Sequence, residues 1–303
     1  MHKHIGLIDV DGHNFPNLAL MKLSAWHKAQ GDAVEWWDGF AQYDRVYMAK
    51  VFTTEYTPDA LEPCNAKEII KGGTGYGLKD KLPHEVEHIY PDYSLYPKFT
   101  KETAYGFLTR GCPRACSFCI VTEKEGRCSR KVADLSEFWK GQKYIKLLDP
   151  NLLACPEHLE LLQQLADSGA WVDFTQGLDI RLVTEKNVEL LNQIKTKMLH
   201  FAWDDPDQDL TPYFRQFNQW TTCRDYRKKG VYVLTNFGST TKQDLYRIYT
   251  LRELGYAPYL MIYNKSKAPD ITKRMQRWCN CKMIFRSEPD FEKYDQKKRR
   301  NAG

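Results

Sequence analysis

The sequence lacks any stretch approaching the ~18 uninterrupted apolar residues of a membrane span. Its amino terminus runs from Met1-His2-Lys3-His4 into the six residues Ile5–Val10, which already contain Asp9. That is too short an apolar core for a signal peptide. A soluble, cytoplasmic protein with no membrane partner is expected. A strong excess of charge of one sign is also missing. Lys and Arg number 44 against 39 Asp and Glu, a formal +5. Residues 293–303 hold five basic residues and one acid, which leaves the body at only +1. Nucleic acid is therefore a weakly supported partner, reached through a solvated tail rather than a folded stripe. With 42% apolar residues, the 303-residue chain excludes a disordered or collagen-like protein and is long enough for about two domains.

An even, dispersed set of cysteines is missing too. There are nine, and three of them fall within eight residues, at Cys112, Cys116 and Cys119. A disulfide scaffold would use even numbers spread through a short secreted chain, whereas clustered thiols in a cytosolic chain favour metal or redox chemistry. Gly111 and Pro113 make this segment a loop, not the packed helix face that buried structural cysteines would occupy. A structural zinc site closes four ligands, and no fourth stands beside these three. Three thiolates on an iron–sulfur centre leave one iron open to an exogenous ligand.

The run Gly111-Cys112-x3-Cys116-x2-Cys119, with Phe118 before the last cysteine, resembles the signature of the radical SAM superfamily. The resemblance implies a [4Fe-4S] cluster on Cys112, Cys116 and Cys119, with S-adenosylmethionine on the fourth iron and Phe118 beside the adenine. It implies reductive cleavage to methionine and a 5′-deoxyadenosyl radical that acts on an unknown substrate. A one-electron donor of flavodoxin or ferredoxin type is then expected. No catalytic residue is assigned beyond the cluster ligands.

From residue 101, short apolar runs alternate with helical patterns. Strands are expected at 105–109, 144–148, 171–175, 199–203, 231–235 and 258–263. Helices are expected at 134–141, 157–166, 184–197, 210–229, 244–254 and 271–278. Six repeated βα units imply a parallel sheet with right-handed crossovers. Eight would complete a barrel, and six resemble the partial (β/α)6 barrel of radical SAM enzymes. Polar residues follow each strand, and the carboxyl ends of parallel strands are where α/β sites form. The resemblance makes several of these candidates for S-adenosylmethionine. They are Asp149 and Asn151, Gln176, Asp179 and Arg181, Asp204 for a ribose, and Asn236. Asp149 lies where the family often has Gly-Gly-Glu. Asp179 and Arg181 read equally well as a salt bridge at a helix start. Arg127 and Arg130, and Gly238, are further candidates of the same kind.

Residues 1–77 read as a small Rossmann-like α/β domain, with strands at 5–10, 33–37, 45–52 and 68–71 and a helix at 18–30. It resembles the cobalamin-binding domain of one radical SAM class, and Asp11-x-His13 is similar to that class's ligating motif. Pro16 replaces the motif's glycine, so a structural lid is expected rather than a cobalamin site. The glycines of Gly72–Gly77 lack the lysine and spacing of a phosphate loop. Residues 78–100, with Pro83, Pro91 and Pro97, read as an extended linker. A barrel at 101–290 and a basic tail at 291–303 complete the expected organisation. Two other functions stay open: a non-catalytic iron–sulfur or zinc redox protein, and a nucleic-acid-modifying radical SAM enzyme.

Overall fold

The computed structural model describes residues 2–12 and 14–294, and the chain divides into two compact units, Met1–Pro150 and Asn151 onward. In the first unit, β1 (His4–Asp9) leads into α1 (Leu18–Ala29), whose start is capped by Asn17 accepting the Leu20 N–H at 3.3 Å. β2 (Ala33–Trp36), β3 (Arg45–Ala49) and β4 (Ile69–Gly72) follow. These strands form an all-parallel sheet in the order β2-β1-β3-β4. Alternation along β1 and β3 builds a core on each face. Ile5, Leu7, Tyr47 and Ala49 pack on Leu20 and Leu23 of α1, while Val46 and Met48 face the opposite layer with Tyr43. Each fully buried aliphatic side chain stabilises the unit by about 1.5–3 kcal/mol.

Residues 78–100 are not an extended linker. They fold into α2 (His84–Glu87), a 3-10 turn at Tyr93–Leu95 and α3 (Pro97–Thr100). Val86 and Tyr96 are buried. The Tyr96 hydroxyl donates to Asp9 at 2.7 Å, and Asp92 accepts from Ser24 and Lys28 at 2.6 Å each. Pro83 stands at the cap of α2 and Pro97 opens α3, where a missing N–H costs nothing. The segment is held to the first sheet and α1 by its polar side chains.

The first unit continues with β5 (Thr103–Gly106), β6 (Thr109–Arg110), α4 (Val121–Glu125), β7 (Arg130–Lys131) and β8 (Tyr144–Leu147). β5 pairs with β8 in parallel, whereas β6 and β7 form a two-residue antiparallel ladder. The strand expected at 105–109 therefore breaks after Gly106. The helix expected at 134–141 reduces to a 3-10 turn, Leu135–Glu137, closed by a capping box between Asp134 and Glu137.

The second unit alternates helices and strands: α5 (His158–Ser168), β9 (Trp171–Phe174), α6 (Glu185–Gln193), β10 (Lys195–Ala202), α7 (Thr211–Trp220), β11 (Lys229–Thr235), α8 (Thr241–Glu253), β12 (Ala257–Ile262), α9 (Asp270–Asn280) and α10 (Lys282–Ser287). Leu161, Leu162 and Leu165 give α5 one buried stripe, and Gly169, in the left-handed region, ends it. β9 through β12 pair in chain order, all parallel. The protein is thus mixed α/β with parallel sheets. β12 pairs with β11 alone among the described residues, so these pairings close no barrel.

Two helices are shorter than their periodicity suggests. The helix expected at 184–197 stops at Gln193 because Ile194 turns extended into β10. That expected at 210–229 stops at Trp220, and Asp225 caps a separate 3-10 turn at Tyr226–Lys228. α10 was not expected. The basic tail as bounded at 291 opens on buried Phe291 and Tyr294, while residues 295–303 lie outside the described residues. No helix among the described residues is long and apolar enough to cross a membrane.

Arg247 of α8 is buried, as is its partner Asp244 at 2.5 Å. It also donates to the carbonyls of Trp203 at 2.7 Å and Leu234 at 2.9 Å, joining the ends of β10 and β11. Arg247→Met strands the Asp244 carboxylate. Urea unfolding is expected to show a loss of about 3–5 kcal/mol, partly recovered in the D244N/R247M pair. A loss below about 1 kcal/mol would show that the pair does not hold these strand ends.

Candidate functional site

The three clustered cysteines lie on the loop between β6 and α4. Its stem is fastened from both sides. The Gly111 N–H donates to Glu125 Oε2 at 3.0 Å, Arg110 Nη1 to Glu125 Oε1 at 2.7 Å, and the Cys112 N–H to the Gly126 carbonyl at 3.2 Å. Arg110 in turn lies 3.5 Å from the centre of the Phe107 ring and 3.5 Å from Glu87. Gly111 has φ +87°, and any side chain there would meet the Cys128 carbonyl. Only glycine fits that turn without strain. Lys124 of α4 donates to the Thr74 hydroxyl, fastening the far side of the loop to the glycine run.

The tip is open by comparison. Cys112 and Cys116 are half-buried and Cys119 is exposed, while Ala115 takes the left-handed φ of 49°. The Cys119 N–H donates to the Cys116 carbonyl at 3.0 Å, a tight turn that keeps these two cysteines close in the backbone. Phe118 is half-buried beside them. None of the nine cysteines forms a disulfide. Among the described residues, no group of three or more His, Cys, Asp or Glu side chains is drawn together to hold a metal ion. As a donor set, three thiols on one short loop suit a soft metal centre. The loop must still bring them together when one binds, as metal sites commonly do.

Asp149, just beyond β8, is buried. Its carboxylate accepts the Leu108 N–H, the Thr109 N–H and, at 2.7 Å, the Thr109 hydroxyl. Burial pushes its pKa up to about 6 in spite of these donors. These bonds tie the end of β8 to the break between β5 and β6, which leaves little of the carboxylate for a ligand. In the first sheet, Asp11 accepts the N–H groups of Val51 and Phe52, so it braces a loop. His13 of the cobalamin-like motif lies outside the described residues. The glycine run folds back on β3, with the Gly75 N–H donating to the Lys50 carbonyl at 2.8 Å. Arg130 donates to the Glu125 carbonyl at 2.8 Å, which puts it in the loop's stem.

In the second unit, the carboxyl ends of parallel strands β9–β12 share one sheet edge, and several candidates lie along it. Asn151 is buried before α5, and Gln176 is exposed after β9. Asp179 and Arg181 bind each other: Asp179 Oδ1 accepts the Arg181 N–H at 3.1 Å and its Nε at 2.7 Å. Arg181 Nη1 donates onward to Gln208 at 2.7 Å. Of the two readings of this pair, the local salt bridge is what forms. Asp204 accepts the Leu234 N–H at 3.2 Å, and burial lifts its pKa to about 6 although Arg247 and Arg181 pull it down. Asn236 has φ 62° and donates to the Tyr263 carbonyl at 2.8 Å. Arg247 donates to the Asp204 carbonyl at 3.2 Å, and Arg247 and Arg181 both act on its carboxylate.

A row of residues inside the strands escaped sequence reading. Asp173 of β9, His200 of β10, Tyr232 of β11 and Tyr259 of β12 share one face. His200 Nδ1 lies 3.6 Å from Asp173, and the His200 ring stacks on Tyr232 at 5.1 Å and 4°. Tyr232 meets Tyr259 edge-on, and its hydroxyl donates to the Thr175 carbonyl at 3.0 Å. A parallel strand normally buries apolar residues on both faces. The polar alternation in Leu199-His200-Phe201 and Val231-Tyr232-Val233 was the available signal.

Neither protein-family models nor curated proteins give a match to this sequence.

Asp204 makes a pH prediction. Its folded pKa of about 6 lies above the ordinary carboxylate value of 3.8, so the folded state holds its proton more tightly. Between these values, stability falls as pH rises, by up to about 3 kcal/mol. Asp204→Asn removes that slope. Thermal melts from pH 4 to 7 should show the variant gaining on the parent as pH rises. A constant difference would contradict the assignment.

Proposed function

We propose that this protein is a radical SAM enzyme, with a partial barrel that carries the cysteine loop. The observation that carries the reading is the Cys-x3-Cys-x2-Cys spacing on a loop fastened at its stem and open at its tip. Cys112, Cys116 and Cys119 would hold a [4Fe-4S] cluster. When bound, the cluster would supply one electron to S-adenosylmethionine at its fourth iron, giving methionine and a 5′-deoxyadenosyl radical.

In the first unit, the chain's own residues prepare the cysteine loop. Glu125 and Arg110 set the stem, so cluster binding orders only the tip. Gly111 lets the chain turn beside Cys128. Phe118 offers an aromatic face next to the last thiol, suited to an adenine. In the second unit, taken by itself, Asp204, held in place by the Leu234 N–H and by Arg247, keeps one carboxylate oxygen suited to a ribose or an amine. Asn236 and Gln176 offer amides on the same sheet edge. Such chemistry needs water excluded from the radical, and the electron would come from a flavodoxin- or ferredoxin-type donor. The reading makes this a cytoplasmic enzyme.

A second reading has one observation in its favour. The Cys128 backbone carbonyl lies against Gly111, the residue before Cys112, and the Cys128 side chain is exposed. Four thiolates would close a zinc or iron–sulfur site with no open position, giving a non-catalytic redox protein.

Anaerobic reconstitution separates the readings. The open cluster predicts about four iron and four sulfide per chain, retained in Cys128→Ala and lost in the serine variant of Cys112, Cys116 and Cys119. With dithionite and S-adenosylmethionine, both the parent and Cys128→Ala should form 5′-deoxyadenosine. A full cluster in the triple variant would refute the assignment, and metal loss in Cys128→Ala would favour the closed site.

A further inference from the structure

The positive charge of the folded chain is concentrated in one place. Residues 264–287 hold seven Lys and Arg against the single acid Asp270, a net +6. That exceeds the +5 of the whole protein, so everything outside this segment sums to −1. The segment contains α9 and α10 and walls an open groove of about 1050 Å³. Lys265, Lys273, Arg274 and Arg277 line it, with Asp270 as its one carboxylate and Tyr259 on the strand side.

These cations are poorly neutralised. Lys273 reaches Asp270 only at 4.0 Å, and the Asp270 side chain is fully exposed. Lys265, Lys267, Arg277 and Lys282 make no ion pair among the described residues. Like charges held this close repel one another, a cost that an anionic partner would relieve. The floor is rigid. Asn280 Oδ1 accepts the Leu260 N–H at 2.8 Å, and the amides of Gln276 and Asn280 both donate to the Leu260 carbonyl at 3.1 Å. These side chains cap the open edge of β12, which blocks strand addition there. Tyr259 remains 47% exposed in the groove, and Tyr263, just past the strand, 44%.

We propose that this groove binds single-stranded polynucleotide. Lysine and arginine along the wall would track phosphates, and Tyr259 would stack a base. Cations combined with an exposed aromatic platform are the usual basis of sequence-tolerant single-strand binding. The exposed guanidinium fork of Arg277 matches phosphate oxygens better than a point charge would, while that of Arg274 stacks on Phe291 at 4.5 Å. An acidic peptide would use the cations but not the ring. The site is a folded surface, distinct from the terminal basic run. It does not depend on the radical SAM reading, and its test needs no cluster.

The experiment is fluorescence anisotropy with a labelled 20-nucleotide oligouridylate over a salt series, using full-length protein. Lys273→Glu with Arg277→Glu should weaken binding at least about tenfold and lower the log–log salt slope by about 1.4, two single-strand contacts at ~0.7 each. Tyr259→Ala should weaken binding with the slope unchanged. Lys186→Glu with Lys195→Glu, the same charge change on exposed sites elsewhere, should have little effect. So should replacing Lys297, Lys298, Arg299 and Arg300 by Gln. Thermal melts confirm that each variant is folded. The proposal is overturned if the oligonucleotide does not bind at low salt, or if the tail variant loses binding while the groove variant keeps it. It also fails if the control pair matches the groove pair. Displacement by polyglutamate as effective as by unlabelled RNA would mean a site for acidic polymer. Displacement by uridine monophosphate at equal nucleotide concentration would mean a mononucleotide site.

Discussion

The candidate site depends on one constraint: the segment from Cys112 to Gly126 is closed at its stem, where the Glu125 carboxylate and the Cys112–Gly126 backbone hydrogen bond meet. Glu125 accepts from both the Gly111 backbone and the Arg110 guanidinium. Closing a loop costs chain entropy, which grows slowly with its length. Here that cost is met by the protein's own bonds before any ligand arrives. Without Glu125, Arg110 would keep Glu87 and the Phe107 ring and the Cys112 N–H would keep the Gly126 carbonyl, but the Gly111 N–H would lose its acceptor. With the clamp in place, only the short tip between Cys112 and Cys119 has left to order, and its thiols stay accessible.

The second unit follows a related logic with different means. Its helices bury one face of β9–β12, where Leu199, Phe201, Val231, Val233 and Leu260 supply an aliphatic and aromatic core. The other face carries Asp173, His200, Tyr232 and Tyr259. Arg247 locks the ends of β10 and β11 through backbone carbonyls, so Asp204 is presented from a fixed position. Buried charge of this kind contributes little net stability, but it fixes geometry once both partners are present. The acidic groups at strand ends, Asp149 and Asp204, both have raised pKa values for the same cause, desolvation.

Much of this was readable in the sequence. Leu159, Leu162 and Leu165 followed by Gly169 mark α5 and its end because period and cap agree. Strand positions in the second unit held to within a few residues. The failures have physical reasons. Asn187 closes a capping box with Thr184 and starts α6 as expected, but periodicity cannot say that Ile194 leaves the helix for β10. Pro83, Pro91 and Pro97 suggested an extended linker, yet Asp92 and Tyr96 bind side chains far away in the chain, which no local rule reveals. The Asp179–Arg181 pair is local in sequence and was anticipated as one of two readings. Glu125 was not anticipated, because its partner is Gly111, fourteen positions upstream. The row from Asp173 to Tyr259 needed strand register, which only the fold supplies.

The central claim is that three thiolates hold an iron–sulfur cluster with one iron open to S-adenosylmethionine. The most direct measurement is the electron paramagnetic resonance spectrum of the reduced, reconstituted Cys128→Ala protein, recorded before and after S-adenosylmethionine is added. An open iron predicts that the cofactor changes the g-values of the reduced cluster. A cluster signal that stays identical at saturating cofactor would contradict the account.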